Sequence, residues 1–117
     1  MVMIMDKEQL DKMSKDYGAI QEQLQSVAMH KEQISAQKMD LDEALLEIGK
    51  SSGKVYVAVG GVIVETDKDS ALKDIKEKIE STEMRLGIAK RQYDELAKKE
   101  HALRSEITAA LKPNGNA

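Results

Sequence analysis

Two histidines, His30 and His101, one glycine pair, Gly60-Gly61, and 21 carboxylates are the groups with which this chain would have to do chemistry. A metal ion needs several ligands converging on one point, and neither histidine has a second ligand at metal-binding spacing, so both read as exposed helical residues. Gly60-Gly61 lacks the following Lys-Ser/Thr, and the GxGxxG context, with which a glycine-rich loop cradles phosphate. The carboxylates are interspersed with lysines at helical spacing, the pattern of a solvated face, and nothing brings two of them together for acid and base work. With no cysteine there is no thiolate nucleophile, thiolate metal site or disulfide, which fits a reducing compartment. The expectation is a protein that is not an enzyme, with no catalytic residues, no metal and no cofactor.

The elements that would position any other kind of site are long helices. There is no Phe or Trp, so the rings that usually fill a compact core are missing, and 33% of the residues are charged. Leu, Ile, Ala, Glu, Lys and Gln dominate, the usage of coiled coils. A net charge of -3 without a contiguous basic face argues against nucleic acid. The apolar start, Met1 to Met5, is too short for a signal-peptide core or a membrane span, so a cytoplasmic protein without a membrane partner is expected.

From Leu10 the apolar spacing alternates three and four residues: Leu10, Met13, Tyr17, Ile20, Leu24, Val27, Lys31, Ile34, Lys38, Leu41, Leu45, Ile48. A second seam runs through Leu72, Ile75, Ile79, Thr82, Leu86, Ala89, Tyr93, Leu96, Glu100, Leu103, Ile107 and Ala110. Helix one is expected over about 6–48 and helix two over about 68–111, capped by Thr66 or Asp67, in a single domain over 1–117. In an antiparallel pair the numbers of facing residues have a nearly constant total. The two seams meet that test at every rung: Ile48 faces Leu72, Leu41 faces Ile79, Val27 faces Tyr93, Tyr17 faces Leu103, and Leu10 faces Ala110. The polar rungs set Lys38 against Thr82, Lys31 against Ala89 and Glu100 against Ile20. Small partners let each lysine stem lie along the seam while its ammonium reaches water, and Glu100 leans outward similarly. A heptad slip would place Lys31 or Lys38 against large apolar residues, so Lys31, Lys38 and Glu100 are expected to set register. At about 1.5 Å per residue each seam extends roughly 55 to 60 Å, a narrow arm without a conventional pocket.

Between the helices, Lys54–Val59 and Val62–Thr66 are β-branched runs joined by Gly60-Gly61, the pair that best supplies the positive φ values of a two-residue turn. A hairpin over about 54–66 follows. Val55, Val57 and Val59 alternate with Tyr56 and Ala58, and Val62 and Val64 flank Ile63, so both faces are substantially apolar. A lone ribbon of this kind is marginal in water and its edges are open to pairing. The chain has no other predicted strands to cover it, so these residues, Val55, Tyr56, Val57, Val59, Gly60, Gly61, Val62, Ile63 and Val64, are expected to join hairpins of further chains in a shared barrel. The fold class is mainly α: an antiparallel two-helix coiled coil with a single central β-hairpin that assembles into an intersubunit β-barrel.

The run KVYVAVGGVIVETDKDSALKDIKEKIESTEMRLGIAKRQYDELAKK, from Lys54 to Lys99, closely resembles the β subunits of prefoldin, especially those of archaea. The "VY" and central "VG" of the hairpin, the "TDKDSALKDIKEKIE" opening of helix two, and Glu80, Glu83, Arg85 and Arg91-Gln92 carry the resemblance. It departs at Val57, where family members often have a lysine after the tyrosine, and at "GKSSGK", which replaces an acidic linker. The resemblance implies an ATP-independent cochaperone, a hexamer of two α and four β subunits with hairpins in a double β-barrel platform. Six coiled-coil arms would capture unfolded polypeptides and hand them to a group II chaperonin. An α subunit carries two hairpins and needs a longer insert, so the single hairpin here implies a β subunit. A structural coiled-coil spacer or tether without chaperone activity is the alternative reading.

Client binding without an enzyme site requires exposed, adaptable apolar surface. The arm ends are expected to supply it through Met1, Val2, Met3, Ile4 and Met5 together with Leu10, Met13, Leu103, Ile107 and Leu111. Four of the seven methionines fall in the first thirteen residues, and the unbranched, polarizable thioether suits a surface that must fit many sequences. Met29 and Met84 take outward positions by the same heptad count.

Overall fold

The computed structural model describes residues 6–111. The element order is α1 (Lys7–Lys50), β1 (Val55–Val59), β2 (Val62–Thr66) and α2 (Lys68–Leu111). The two helices and single antiparallel hairpin are those expected from the two seams and the glycine pair.

Both helices begin with an aspartate cap. At α1, Asp6 Oδ1 accepts from the Gln9 amide at 2.8 Å and Gln9 Oε1 accepts from the Asp6 amide at 3.1 Å, a reciprocal capping box. At α2, the choice between Thr66 and Asp67 falls to Asp67, whose carboxylate accepts from the Ser70 amide at 2.7 Å and the Ser70 hydroxyl at 2.8 Å. Thr66 is still the last residue of β2, so its backbone belongs to the ladder.

The hairpin pairs Val55 with Thr66, Tyr56 with Glu65, Val57 with Val64, Ala58 with Ile63 and Val59 with Val62. Gly60 and Gly61 close it at φ of 55° and 82°, a backbone that L side chains adopt only with strain. Directly paired residues share a face, so five valines and Thr66 line one side, and Tyr56, Ala58, Ile63 and Glu65 the other.

The described residues pack as two compact units, one of Lys31–Ile88 and one joining those up to His30 with those from Ala89 onward. In the first, Ile34, Val55, Ala71 and Thr82 are buried. In the second, Ala89 is buried and the seam residues from Leu10 to Val27 and from Tyr93 to Ala110 are half-buried. All twenty-four seam positions named from the sequence are buried or half-buried, and neighbouring charged positions are mostly exposed. This is the burial that a three-four apolar spacing dictates when two helices share one stripe.

Two tests follow from this packing. Ile34→Ala should cost about 2–4 kcal/mol in chemical denaturation, because the cavity is left in a fully enclosed position. The Ser70 amide and hydroxyl hold the Asp67 carboxyl below its ordinary value, so its contribution is complete above the unfolded carboxyl's pKa and disappears as pH falls through the folded one. Asp67→Ala should therefore lower the melting temperature at neutral pH, and the gap to the wild type should close in acid.

Candidate functional site

The hairpin carries an uncovered apolar surface on both of its faces. Tyr56 is 62% exposed and Ile63 73%, on one face, while Val59 and Val62 are equally open on the other. On the valine face Val55 is buried and Val57 half-buried, so cover on that face diminishes toward the turn, while Tyr56 is open even near the base. Lys54 and Glu65 form an exposed ion pair at 3.0 Å beside Tyr56. The all-valine face carries no charge between Val57 and Val62.

At the base of the hairpin, Lys68 Nζ donates to the carbonyl oxygens of Gly49 at 2.9 Å and Ser51 at 3.1 Å. The Ser51 amide donates to the Ile48 carbonyl at 3.1 Å, closing a turn directly after α1.

The residues expected at the arm ends fall into two groups. Met1, Val2, Met3, Ile4 and Met5 lie outside the described residues. Leu10, Met13, Leu103 and Ile107 are half-buried in the seam of their unit, and Leu111 is 64% exposed.

The polar seam residues have acquired partners. Glu100 does not lean outward as the sequence suggested: its side chain is only 15% exposed, because Tyr17 Oη donates to Glu100 Oε1 at 2.8 Å and Arg104 Nη1 stands 3.5 Å away. The reason is geometric. Tyr17 was matched with Leu103, and Glu100 lies one helical turn from Leu103, within reach of a phenol. Lys38, expected to send its ammonium to water, instead meets Asp42 at 3.1 Å and Glu83 at 3.8 Å. Thr82 is buried, its hydroxyl donating to the Lys78 carbonyl at 2.7 Å. Lys31 is half-buried.

His30 and His101 are exposed, and the Arg104 guanidinium donates to His101 Nδ1 at 3.1 Å. A groove of about 370 Å³ in the Lys31–Ile88 unit is lined by Leu41, Thr82, Lys78 and Arg85, with Asp40 as its carboxylate. Among the described residues no three His, Cys, Asp or Glu side chains are grouped to hold a metal ion, and no helix is long and apolar enough to cross a membrane.

Met29 and Met84 are exposed, as their heptad positions require. The same count places Met39, Leu46 and Ile88 off the seam, and these too are exposed apolar side chains. The capping box at Asp6 carries a sequence signal, Asp-x-x-Gln, that the seam count did not use. The reach of Lys68 carries none, because it depends on where one helix ends beside the start of the other.

Residues 11–114 match the family model described as prefoldin subunit. The chain is 39% identical over 95 residues to the prefoldin subunit beta of Pyrococcus furiosus, covering 80% of this chain and 81% of that one. It is 35% identical over 107 residues to the prefoldin subunit beta of Thermococcus gammatolerans, covering 90% and 92%. The crystal structure of the prefoldin beta subunit from Thermococcus strain KS-1 superposes with a TM-score of 0.85 at 36% identity, covering 90% of this chain and 94% of that one.

The Tyr17 contact yields a direct test. Hydrogen bonding to the Glu100 carboxylate raises the phenol's pKa above its ordinary value, so the bond stabilises the fold below the ordinary phenol pKa and is lost as pH rises through the raised one. Glu100→Gln should return the Tyr17 titration toward the ordinary value, read from its ring resonances by NMR. A Tyr17 titration identical in the two proteins would remove the contact.

Proposed function

The chain belongs to the prefoldin family of chaperones, and from that premise we propose that it is the β subunit of a hexamer containing two α and four β subunits. In this role it captures unfolded polypeptides at the arm ends, without nucleotide, and delivers them to a group II chaperonin in the cytoplasm. The observation that carries the proposal is the uncovered hairpin, with Tyr56 near its base and Val59, Val62 and Ile63 toward its turn all at least 60% exposed. A two-stranded ribbon is marginal in water, and apolar residues at both faces favour a site that neighbouring hairpins cover. Closing several hairpins into a barrel removes the open edges altogether.

On this reading Val55, Tyr56, Val57, Val59, Gly60, Gly61, Val62, Ile63 and Val64 form the assembly surface. Met1 to Met5, Leu10, Met13, Leu103, Ile107 and Leu111 form the client surface. Lys31, Lys38 and Glu100 hold the helices in register, supported by the partners that Lys38 and Glu100 find across the seam. Weak contacts from each arm add through the high effective concentration that a common platform creates. A passive spacer would share the fold and lack the client surface.

Size-exclusion chromatography with light scattering, alone and with an α subunit, should give a hexamer that suppresses aggregation of a denatured test protein. Ile63→Asp should abolish that assembly. Deleting residues 1–9, or separately 108–117, should leave the hexamer intact and remove most of the suppression. Full suppression by both truncated forms would overturn the arm-end assignment, and a dimer without suppression would identify a spacer.

A further inference from the structure

The hairpin is mounted on its two helices in different ways. β2 passes into α2 without a linker: Thr66 ends the strand, Asp67 caps the helix and Lys68 is its first residue. α1 reaches β1 through residues 51–54, two serines, a glycine and a lysine, a composition that resists little bending. One attachment is stiff and the other soft.

Lys68 crosses the soft side. Its ammonium bonds the carbonyls of Gly49, in the last turn of α1, and Ser51, just beyond it. Backbone acceptors there have no partner within the helix, and the negative end of the helix dipole favours a cation. Two of the neighbouring charges are engaged elsewhere: Lys54 with Glu65, and the Asp67 carboxylate with Ser70. The target is also well defined, since Ser51 is half-buried, its hydroxyl oxygen is enclosed and its amide is bonded to Ile48.

We propose that Lys68 is the positioning residue of the joint between hairpin and helices. By tying the end of α1 to the start of α2, it fixes the hairpin's orientation on both helices. The consequence for chaperone activity rests on the proposed function: arms rooted in a platform of hairpins converge on one client only if each joint holds its angle. The tie is a directional, charge-assisted pair of hydrogen bonds, so arginine can replace it and a neutral side chain of similar length cannot.

The test uses Lys68→Met and Lys68→Arg in the full chain, alone and assembled with an α subunit. The absence of native cysteine allows spin labels, read in the chain before assembly so that they do not occupy the hairpin surface, to be placed at Ala58 and Ala36, both exposed there, through two introduced cysteines. In Lys68→Met the Ser51 amide should exchange about tenfold faster, the order of one charged hydrogen bond, and the label distances should broaden. Lys68→Arg should restore both, with helix content unchanged throughout. Client suppression should fall several-fold in Lys68→Met and recover in Lys68→Arg. Unaltered Ser51 exchange and label distances in Lys68→Met would overturn the proposal.

The wild type offers a reading free of substitution. The ammonium protons of Lys68 should exchange more slowly than those of Lys73, and equal rates would also overturn the proposal. Exchange and distances report on the joint whether or not the wild type suppresses aggregation, so failure of the joint and failure of the chaperone reading leave different signatures.

Discussion

Each of the two long helices has one apolar stripe, and the two stripes face each other. That constraint decides the rest of the molecule. Because α1 and α2 use the residues from Leu10 to Ile48 and from Leu72 to Ala110 on one another, their remaining surface is largely charged and has little apolar cover for the hairpin. Val55 and Val57 gain shelter at the helix ends, and the strands then run out to a turn where Val59, Val62 and Ile63 stand open. The hairpin thus keeps an uncovered apolar surface toward its turn, in a chain that belongs to the family of prefoldin subunits.

Polar residues inside the shared stripe follow a consistent rule. A charge at a seam position is costly when it has no partner and tolerable when hydrogen bonds replace those it made to water. Glu100 accepts from Tyr17 and lies near Arg104. Lys38 meets Asp42 and Glu83, and Asp42 raises its pKa by holding the ammonium charged. Tyr17–Glu100 and Lys38–Glu83 each join residues of different helices. They add directional preference to a seam whose apolar contacts are interchangeable.

The hairpin was the most legible part of the candidate site. Its strands, its turn and its two apolar faces followed from alternation around Gly60-Gly61, because β-pairing across a two-residue turn leaves one register, with Val59 opposite Val62. The arm ends were legible as a list of apolar residues and less so as a surface. Leu10, Met13, Leu103 and Ile107 belong to the seam and are half-buried, whereas Leu111, one residue past the seam position Ala110, is open, so the list joins residues that the heptad count itself separates.

By itself the sequence determined where the helices run, which residues they share, and that one strand pair interrupts them. These depend on short-range periodicity and turn chemistry, which neighbouring residues along the chain settle among themselves. Tertiary structure alone decided that Glu100 turns in to Tyr17, that Lys38 finds Glu83, and that Lys68 reaches the end of α1. Such contacts are made by long side chains across the gap between elements. Their partners are set by distances of a few ångströms, and no spacing along the chain encodes those distances.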